Sequence, residues 1–171
     1  MNHQLLTVLF VFTIATGAVD SEQWLEPKYT WNVAEGKPTM QSSNYYGYNK
    51  GFSNLAVDGN PDDDWYHGSC THTRNDVRAW WMVDQQATYT IYSVKVVNCR
   101  NSAPSRLSNF KIEVSNNMVN WILCHHQTGG LSSAWELYYC QASVSGRYVR
   151  IQLQGQNYLT LCEVEVNVHN A

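Results

Sequence analysis

Charge is scarce in this 171-residue chain: Asp, Glu, Lys and Arg together make up 15% of it, and the formal net charge at pH 7 is -3. So small a negative balance gives no electrostatic footprint for nucleic acid or for an anionic membrane surface, and neither is expected as a partner. Beyond residue 18 the chain has no apolar run near the ~20 residues that a membrane span requires. Apolar residues at i, i+3, i+4 and i+7 are missing from every long stretch, which excludes a fold built on amphipathic helices. There is no Gly-x-Ser-x-Gly elbow, no Gly-rich phosphate loop and no pair of carboxylates in a catalytic setting, so the chain is not read as an enzyme. The absence of any Asn-x-Ser/Thr sequon removes N-glycosylation. No Pro-rich, Ser-rich or charged linker and no internal repeat divides the sequence.

What is present begins with a secretion signal. A polar start leads into Leu5-Leu6-Thr7-Val8-Leu9-Phe10-Val11-Phe12 and then to small residues at Ala15, Gly17 and Ala18, the pattern of a signal peptide over residues 1–18, cut near Ala18. The exported, extracellular remainder, roughly 150 residues, has the size of one domain. Residues 19–31 are read as an N-terminal extension and 32–169 as the domain. Trp and Tyr are plentiful, 7 and 11 residues, which suits a compact binding domain. Residues 110–114, 149–153 and 164–168 alternate apolar and polar at period two and read as half-buried strands. Residues 79–84 and 89–97 read as two further strands, separated by the turn-prone Gln85-Gln86-Ala87-Thr88. Short strands joined by long polar loops indicate an antiparallel β-sandwich or barrel, with binding residues in the loops at its ends.

Five cysteines in an exported chain imply two disulfides and one further residue. Spacing alone leaves the pairing open. The expectation is Cys124 with Cys140, closing a short loop between neighbouring strands, and Cys70 with Cys162, closing a long one. Cys99 is then the odd residue, either an intermolecular link between two chains or a buried thiol packing as a small apolar group. The Cys70–Cys162 pairing would bring together Trp65-Tyr66-His67-Gly68-Ser69-Cys70-Thr71-His72 and Tyr158-Leu159-Thr160-Leu161-Cys162-Glu163, a histidine-bearing loop and an acidic strand start.

Six blocks in order, Asn32-Val33-Ala34-x-Gly36-Lys37-Pro38-Thr39, Ala56-Val57-Asp58-Gly59-Asn60, His67-Gly68-Ser69-Cys70-Thr71-His72, Trp80-Trp81-x-Val83-Asp84, Gly146-Arg147-Tyr148-Val149-Arg150 and Leu161-Cys162-Glu163-Val164-Glu165-Val166, resemble the F-type lectins. These are the fucolectins, a branch of the discoidin-like coagulation factor V/VIII C-type fold. The resemblance runs from about Asn32 to Val168. It implies an all-β, eight-stranded antiparallel jelly-roll sandwich with a ligand site in the loops at one end, and L-fucose-containing glycans as partners. It also implies a structural Ca2+ ion at Leu55, Asp58, Asn60, Ser69, Cys162 and Glu163. Asp58 and Glu163 would carry the charge, while Leu55, Asn60 and Cys162 would give main-chain carbonyls. Calcium takes roughly six to eight oxygens, so such a set suits it.

For the sugar, the resemblance carries over His72 and Arg106. Imidazole and guanidinium groups bind ring and hydroxyl oxygens, and Trp65, Tyr66 and the Tyr45-Tyr46-Gly47-Tyr48 loop would supply an apolar wall for the C6 methyl. The family's first arginine is replaced by Cys99, and Asn101 stands for its aspartate. Arg100, one residue later, is the third candidate if the loop shifts its register by one. The implied setting is innate recognition of glycans by a possible homo-oligomer, since single lectin sites are weak and gain by multivalency. Two other readings of the same fold remain open. One is a degenerate module that binds phospholipid headgroups or protein through the aromatic run 45–52. The other is a matrix protein without a sugar pocket.

Overall fold

The computed structural model describes residues 29–101 and 103–169, the side chain of Gln141 excepted. The segments expected as a signal peptide, 1–18, and as an N-terminal extension, 19–31, lie outside the described residues except for Tyr29, Thr30 and Trp31. Nine strands form: β1 (Thr30–Asn32), β2 (Thr39–Gln41), β3 (Asp76–Val77), β4 (Trp80–Val97), β5 (Ser108–Ser115), β6 (Ile122–Gly130), β7 (Trp135–Leu153), β8 (Gln156–Asn157) and β9 (Glu163–His169). All pairings are antiparallel. The architecture is the all-β sandwich that the sequence indicates. The count passes eight because β3 and β8, two residues each, pair with one another apart from the main ladder. β1 starts ahead of the expected domain boundary, since Thr30 and Trp31 already pair with His169 and Val168.

Two long strands make the layers. Trp80 to Asp84 of β4 pair with Gln152 to Tyr148 of β7, with β2 on the far side of β4 and β5 and β6 beyond β7. The register then breaks between Asp84 and Tyr89. Past the break, Tyr89 to Val97 pair with the first half of β7 on one side and with β9 on the other, and β1 follows β9. The two strands expected at 79–84 and 89–97 are therefore one. The turn-prone residues between them act as an irregularity, with Gln86 at φ 63°, instead of ending the strand.

The core follows from period two. In β5 Phe110, Ile112 and Val114 are buried while Lys111 and Glu113 are half-buried, and in β9 Val164, Val166 and Val168 are buried between Glu165 and Asn167. These side chains join Trp81, Val83, Ile91, Val94, Val96, Val149 and Ile151 in one apolar cluster. Cys124–Cys140 links β6 to β7 across a sequence separation of 16, as expected, and Cys70–Cys162 closes the long loop, with a separation of 92. Cys99 is fully buried. These are the surroundings expected of a side chain that packs as a small apolar group.

Trp81 connects the core to the loops. It is 0% exposed, and its indole Nε1 donates to the Ser53 carbonyl at 2.8 Å. That bond fixes the 3-10 turn Ser53–Val57, whose Ala56 and Val57 are buried directly before Asp58. Trp81→Phe should therefore cost about 2–4 kcal/mol, from the lost volume and from a buried carbonyl left without its donor. Urea unfolding with an unchanged m-value would read this.

Candidate functional site

The two segments joined by Cys70–Cys162 run side by side. Thr71 N–H donates to the Leu161 carbonyl at 2.7 Å and Thr73 N–H to the Leu159 carbonyl at 3.0 Å. The hydroxyls of the same threonines accept back, from Leu161 N–H at 3.1 Å and Leu159 N–H at 2.9 Å. Both threonines are fully buried, so their hydroxyls satisfy main-chain donors that water cannot reach. His72 sits between these two rungs, with its main-chain N–H donating to the Gly51 carbonyl.

His72 is the centre of an aromatic cluster. Its ring stacks on Tyr45 with centroids 4.4 Å apart, lies 4.9 Å from Trp65 and meets Tyr158 edge-on at 5.4 Å. Nδ1 donates to the Thr73 carbonyl at 2.6 Å, so Nε2 is left to accept from Arg106 Nη1 at 3.1 Å. This fixes one neutral tautomer. Burial holds the imidazole below its ordinary 6.5; the Thr73 carbonyl opposes that shift and the Arg106 charge adds to it. Arg106, at the end of the 3-10 turn Pro104–Arg106, lays its guanidinium over the Tyr158 ring at 4.6 Å. Gly51 closes the back of the site. Its carbonyl accepts from His72 N–H at 2.9 Å, and a Cβ at this position would overlap the main chain and Cβ of His72.

The other sugar candidates separate. Trp65 is buried against Cys70, Val97, Cys99 and Cys162 and forms part of the cluster around His72. Tyr66 is 66% exposed and has no ring contact with His72 among the described residues. Arg100 does not join His72 and Arg106: its Nε pairs with Asp63, and its main-chain N–H donates to the Asp63 carbonyl at 3.1 Å. Cys99, in the position of the family's first arginine, has its sulfur within 4.8 Å of both sulfurs of Cys70–Cys162. Asn101 accepts from Trp65 N–H at 2.9 Å and donates to the Asp64 carboxylate. The loop holding residues 99–101 is thus sewn to the loop holding 63–65 by polar bonds, and the register shift that would admit Arg100 does not occur. Tyr158 escaped the sequence reading. The signal for it was its place four residues before Cys162, since the disulfide that positions His72 also positions Tyr158.

The acidic side of the site is organised by a relay of side chains. Asp58, Asn60, Asp62 and Asp64 each accept, through Oδ1, from the main-chain N–H two residues ahead, at 3.0, 3.2, 3.0 and 2.7 Å taken from Asn60, Asp62, Asp64 and Tyr66 in no fixed rank of strength. Four successive Asx turns wind the loop on itself. Read from sequence, Asp62-Asp63-Asp64 is a solvated loop; here two of the three carboxylates cap main-chain donors and Asp63 holds Arg100. His67 Nδ1 pairs with Asp62 at 2.8 Å and Cys70 is in a disulfide, so His67, Cys70 and His72 do not form a zinc site.

Glu163 begins β9 next to Cys162 and is 2% exposed. Its Oε2 is buried with no hydrogen-bond partner. Burial pushes its carboxyl up to about 8; the Asp58 charge adds to this, Gly59 N–H opposes it, and Glu165 and Glu35 add smaller repulsions. Glu165 is already neutralised by Lys95 at 2.6 Å. A buried carboxylate with one oxygen unpartnered, close to the Asp58 charge and with Glu35 nearby, is a donor set that a hard dication would satisfy. Ser69, also buried, donates its hydroxyl to the Asp64 carbonyl at 3.0 Å and so retains oxygen lone pairs. Gly59 joins Asp58 to Asn60 at φ +80°, a left-handed conformation suited to glycine.

Comparison with known proteins agrees with this architecture. Residues 55–151 match the family model described as "NedA-like, galactose-binding domain" of the F5/F8 type C group. The chain is 34% identical over 175 residues to Fucolectin-3 of Anguilla japonica, covering 98% of this chain and 97% of that protein. Among solved structures, the lectin domain of lectinolysin, complexed with Lewis B antigen, superposes with a TM-score of 0.72 at 36% identity, covering 79% of this chain and 94% of that one. A fucolectin from the serum of Morone saxatilis, striped bass, gives a TM-score of 0.73 at 35% identity, covering 81% of this chain and 47% of that one. The chain belongs to the fucolectin family of F-type lectins. Its relatives are lectins and carbohydrate-binding modules and not enzymes.

In NMR titration the His72 imidazole should titrate below 6.5. Because its folded value is lowered, its stabilising contribution is present above 6.5 and is lost as pH falls through the folded value. Gly51→Ala should displace the ring, return its titration toward 6.5 and reduce the melting temperature.

Proposed function

We propose that this protein is a lectin for L-fucose-bearing glycans, with His72 and Arg106 as its polar contacts. The observation that supports this most is the neutral imidazole paired with a guanidinium inside a cup of Tyr45, Trp65 and Tyr158. A 6-deoxy sugar needs hydroxyl partners on one side and an apolar surface for its methyl group on the other, and the cup offers both within one ring-width. The named ligands of the relatives, Lewis B antigen and fucose, point the same way. In this reading Arg100 is a loop clamp on Asp63 and not a sugar contact, and Tyr66 lies on the rim. Cys99, fully buried where the family has its first arginine, brings no charge to the sugar, which predicts a site with fewer charge-assisted bonds than the family pattern implies.

The proposal includes a calcium ion held by Asp58 and Glu163, with the Ser69 hydroxyl and the main-chain carbonyls of Leu55, Asn60 and Cys162. Its chemistry would be electrostatic: it neutralises buried carboxylates and ties the Asx-wound loop to the start of β9. It also includes export and a role in innate recognition of glycans, with several copies acting together. Two disulfides suit an oxidising compartment, and weak single sites gain from assembly.

Binding to fucosylated glycans, competed by free L-fucose, should fall at least tenfold in His72→Ala and in Arg106→Ala, each removing a hydrogen bond of a charged or buried group. Arg100→Ala should change it by less than about twofold, as expected for an exposed ion pair. A lack of fucose-competed binding by folded protein would sink the reading; binding to phospholipid vesicles instead would move it to a lipid-binding module. Calcium should raise the melting temperature and EDTA reverse the rise. Both responses should vanish in Glu163→Gln and Asp58→Asn.

A further inference from the structure

Tyr45 and Tyr158 have a second use. The two rings that flank His72 also line a neighbouring cavity of about 370 Å³, completed by Tyr46, Gly47, Arg74 and Asn75. That volume lies within the range of small-ligand sites, roughly 300–1,000 Å³. Its lining holds three phenol rings, one amide and one guanidinium, and no carboxylate.

The guanidinium distinguishes this cavity from a sugar platform of the ordinary kind. Arg100, Arg147 and Arg150 are each neutralised by a carboxylate, from Asp63, Asp84 and Glu113. Arg74 is exposed and has no carboxylate partner among the described residues. The acid closest to it in sequence, Asp76, accepts instead from the hydroxyls of Ser42 and Ser43, both at 2.6 Å. Arg74 is nonetheless held in place. Its Nε donates to the Asn44 carbonyl at 3.2 Å, its main-chain N–H donates to Ser43 Oγ at 2.8 Å, and its Cζ stands 5.8 Å from the centre of the Tyr46 ring. The Nη groups remain for a ligand. A guanidinium anchored through Nε and by a ring is pre-organised to take a planar or tetrahedral oxyanion with two N–H donors.

We infer that this cavity is a second subsite that selects fucosylated glycans carrying an anionic substituent, a sulfate ester or a carboxylate, on the sugar next to the fucose, with Arg74 as the selecting residue. The inference rests on the fucose reading of the His72–Arg106 cup, because the shared walls Tyr45 and Tyr158 make the two sites contiguous. A glycan whose fucose lies at His72 would set its next residue across Tyr158, against the Tyr45 and Tyr46 rings, with its acid at Arg74.

The test compares three soluble trisaccharides of one fucosylated skeleton, neutral, sulfated and sialylated, by calorimetry or surface binding, in wild type, Arg74→Gln and Arg74→Lys. Wild type should bind at least one acidic form about tenfold more tightly than the neutral form at low salt, with the preference shrinking as salt rises. The acidic form that wins identifies sulfate or carboxylate as the substituent. Arg74→Gln should bring the acidic forms to the neutral affinity and leave the neutral one unchanged, and Arg74→Lys should keep part of the preference. Equal binding of all three by wild type, or an equal loss of neutral and acidic binding in Arg74→Gln, would overturn the subsite while fucose-competed binding of the neutral form still stands. If none of the three binds, the fucose reading itself fails and the subsite falls with it.

Discussion

One covalent link, Cys70–Cys162, decides where every part of the site stands. It joins residues 92 apart in sequence, and the threonine rungs at Thr71 and Thr73 convert that single bond into a fixed register over four residues on each side. His72 is two positions from one cysteine, Tyr158 is four from the other, and Glu163 is one beyond it. The cup and the buried acid are thus two faces of the same staple, and neither can shift without the other. Closing so long a loop also removes much of the conformational freedom of the unfolded chain, in the chain-entropy account.

Electrostatics divides the two faces. On the side of the cup, burial keeps His72 neutral, so Arg106 can donate to it without meeting a second positive charge. On the other side, burial and the Asp58 charge hold Glu163 against ionisation. Desolvation works in both places, but it acts on a base in one and on an acid in the other, and in each it disfavours the charged form. The base has found partners for both ring nitrogens within the protein, the Thr73 carbonyl and the Arg106 guanidinium. The acid has an oxygen that has found none, which is why a cation is the natural completion there.

The fold was largely legible from the sequence because burial alternates so regularly in β5 and β9 that period two alone identifies them. Both disulfides form as expected and bring the two segments together, although spacing alone left their pairing open. What escaped was set by tertiary geometry. The continuity of β4 through Gln85-Gln86-Ala87-Thr88 depends on β7 running beside it through the bend, which no local propensity reveals. Arg100 looked like a displaced sugar contact because sequence spacing cannot show that Asp63 lies within reach of it. Tyr158 was hidden for the same reason. The Asp62-Asp63-Asp64 run is partly exposed, as three adjacent acids suggest, but composition could not show that its alternate members also cap main-chain donors.

The Asx relay from Asp58 to Tyr66 places an unusual constraint on how this loop can change over evolutionary time. Each link joins a side chain to the N–H two positions on, so any residue able to cap in the same way can replace another without disturbing its neighbours. A single inserted or deleted residue is different, because it breaks the link it falls in, leaves that donor without its cap, and shifts the rest of the relay relative to the fixed Cys70–Cys162 bond. The length of this loop is therefore fixed more tightly than its composition, the reverse of what exposed loops usually allow.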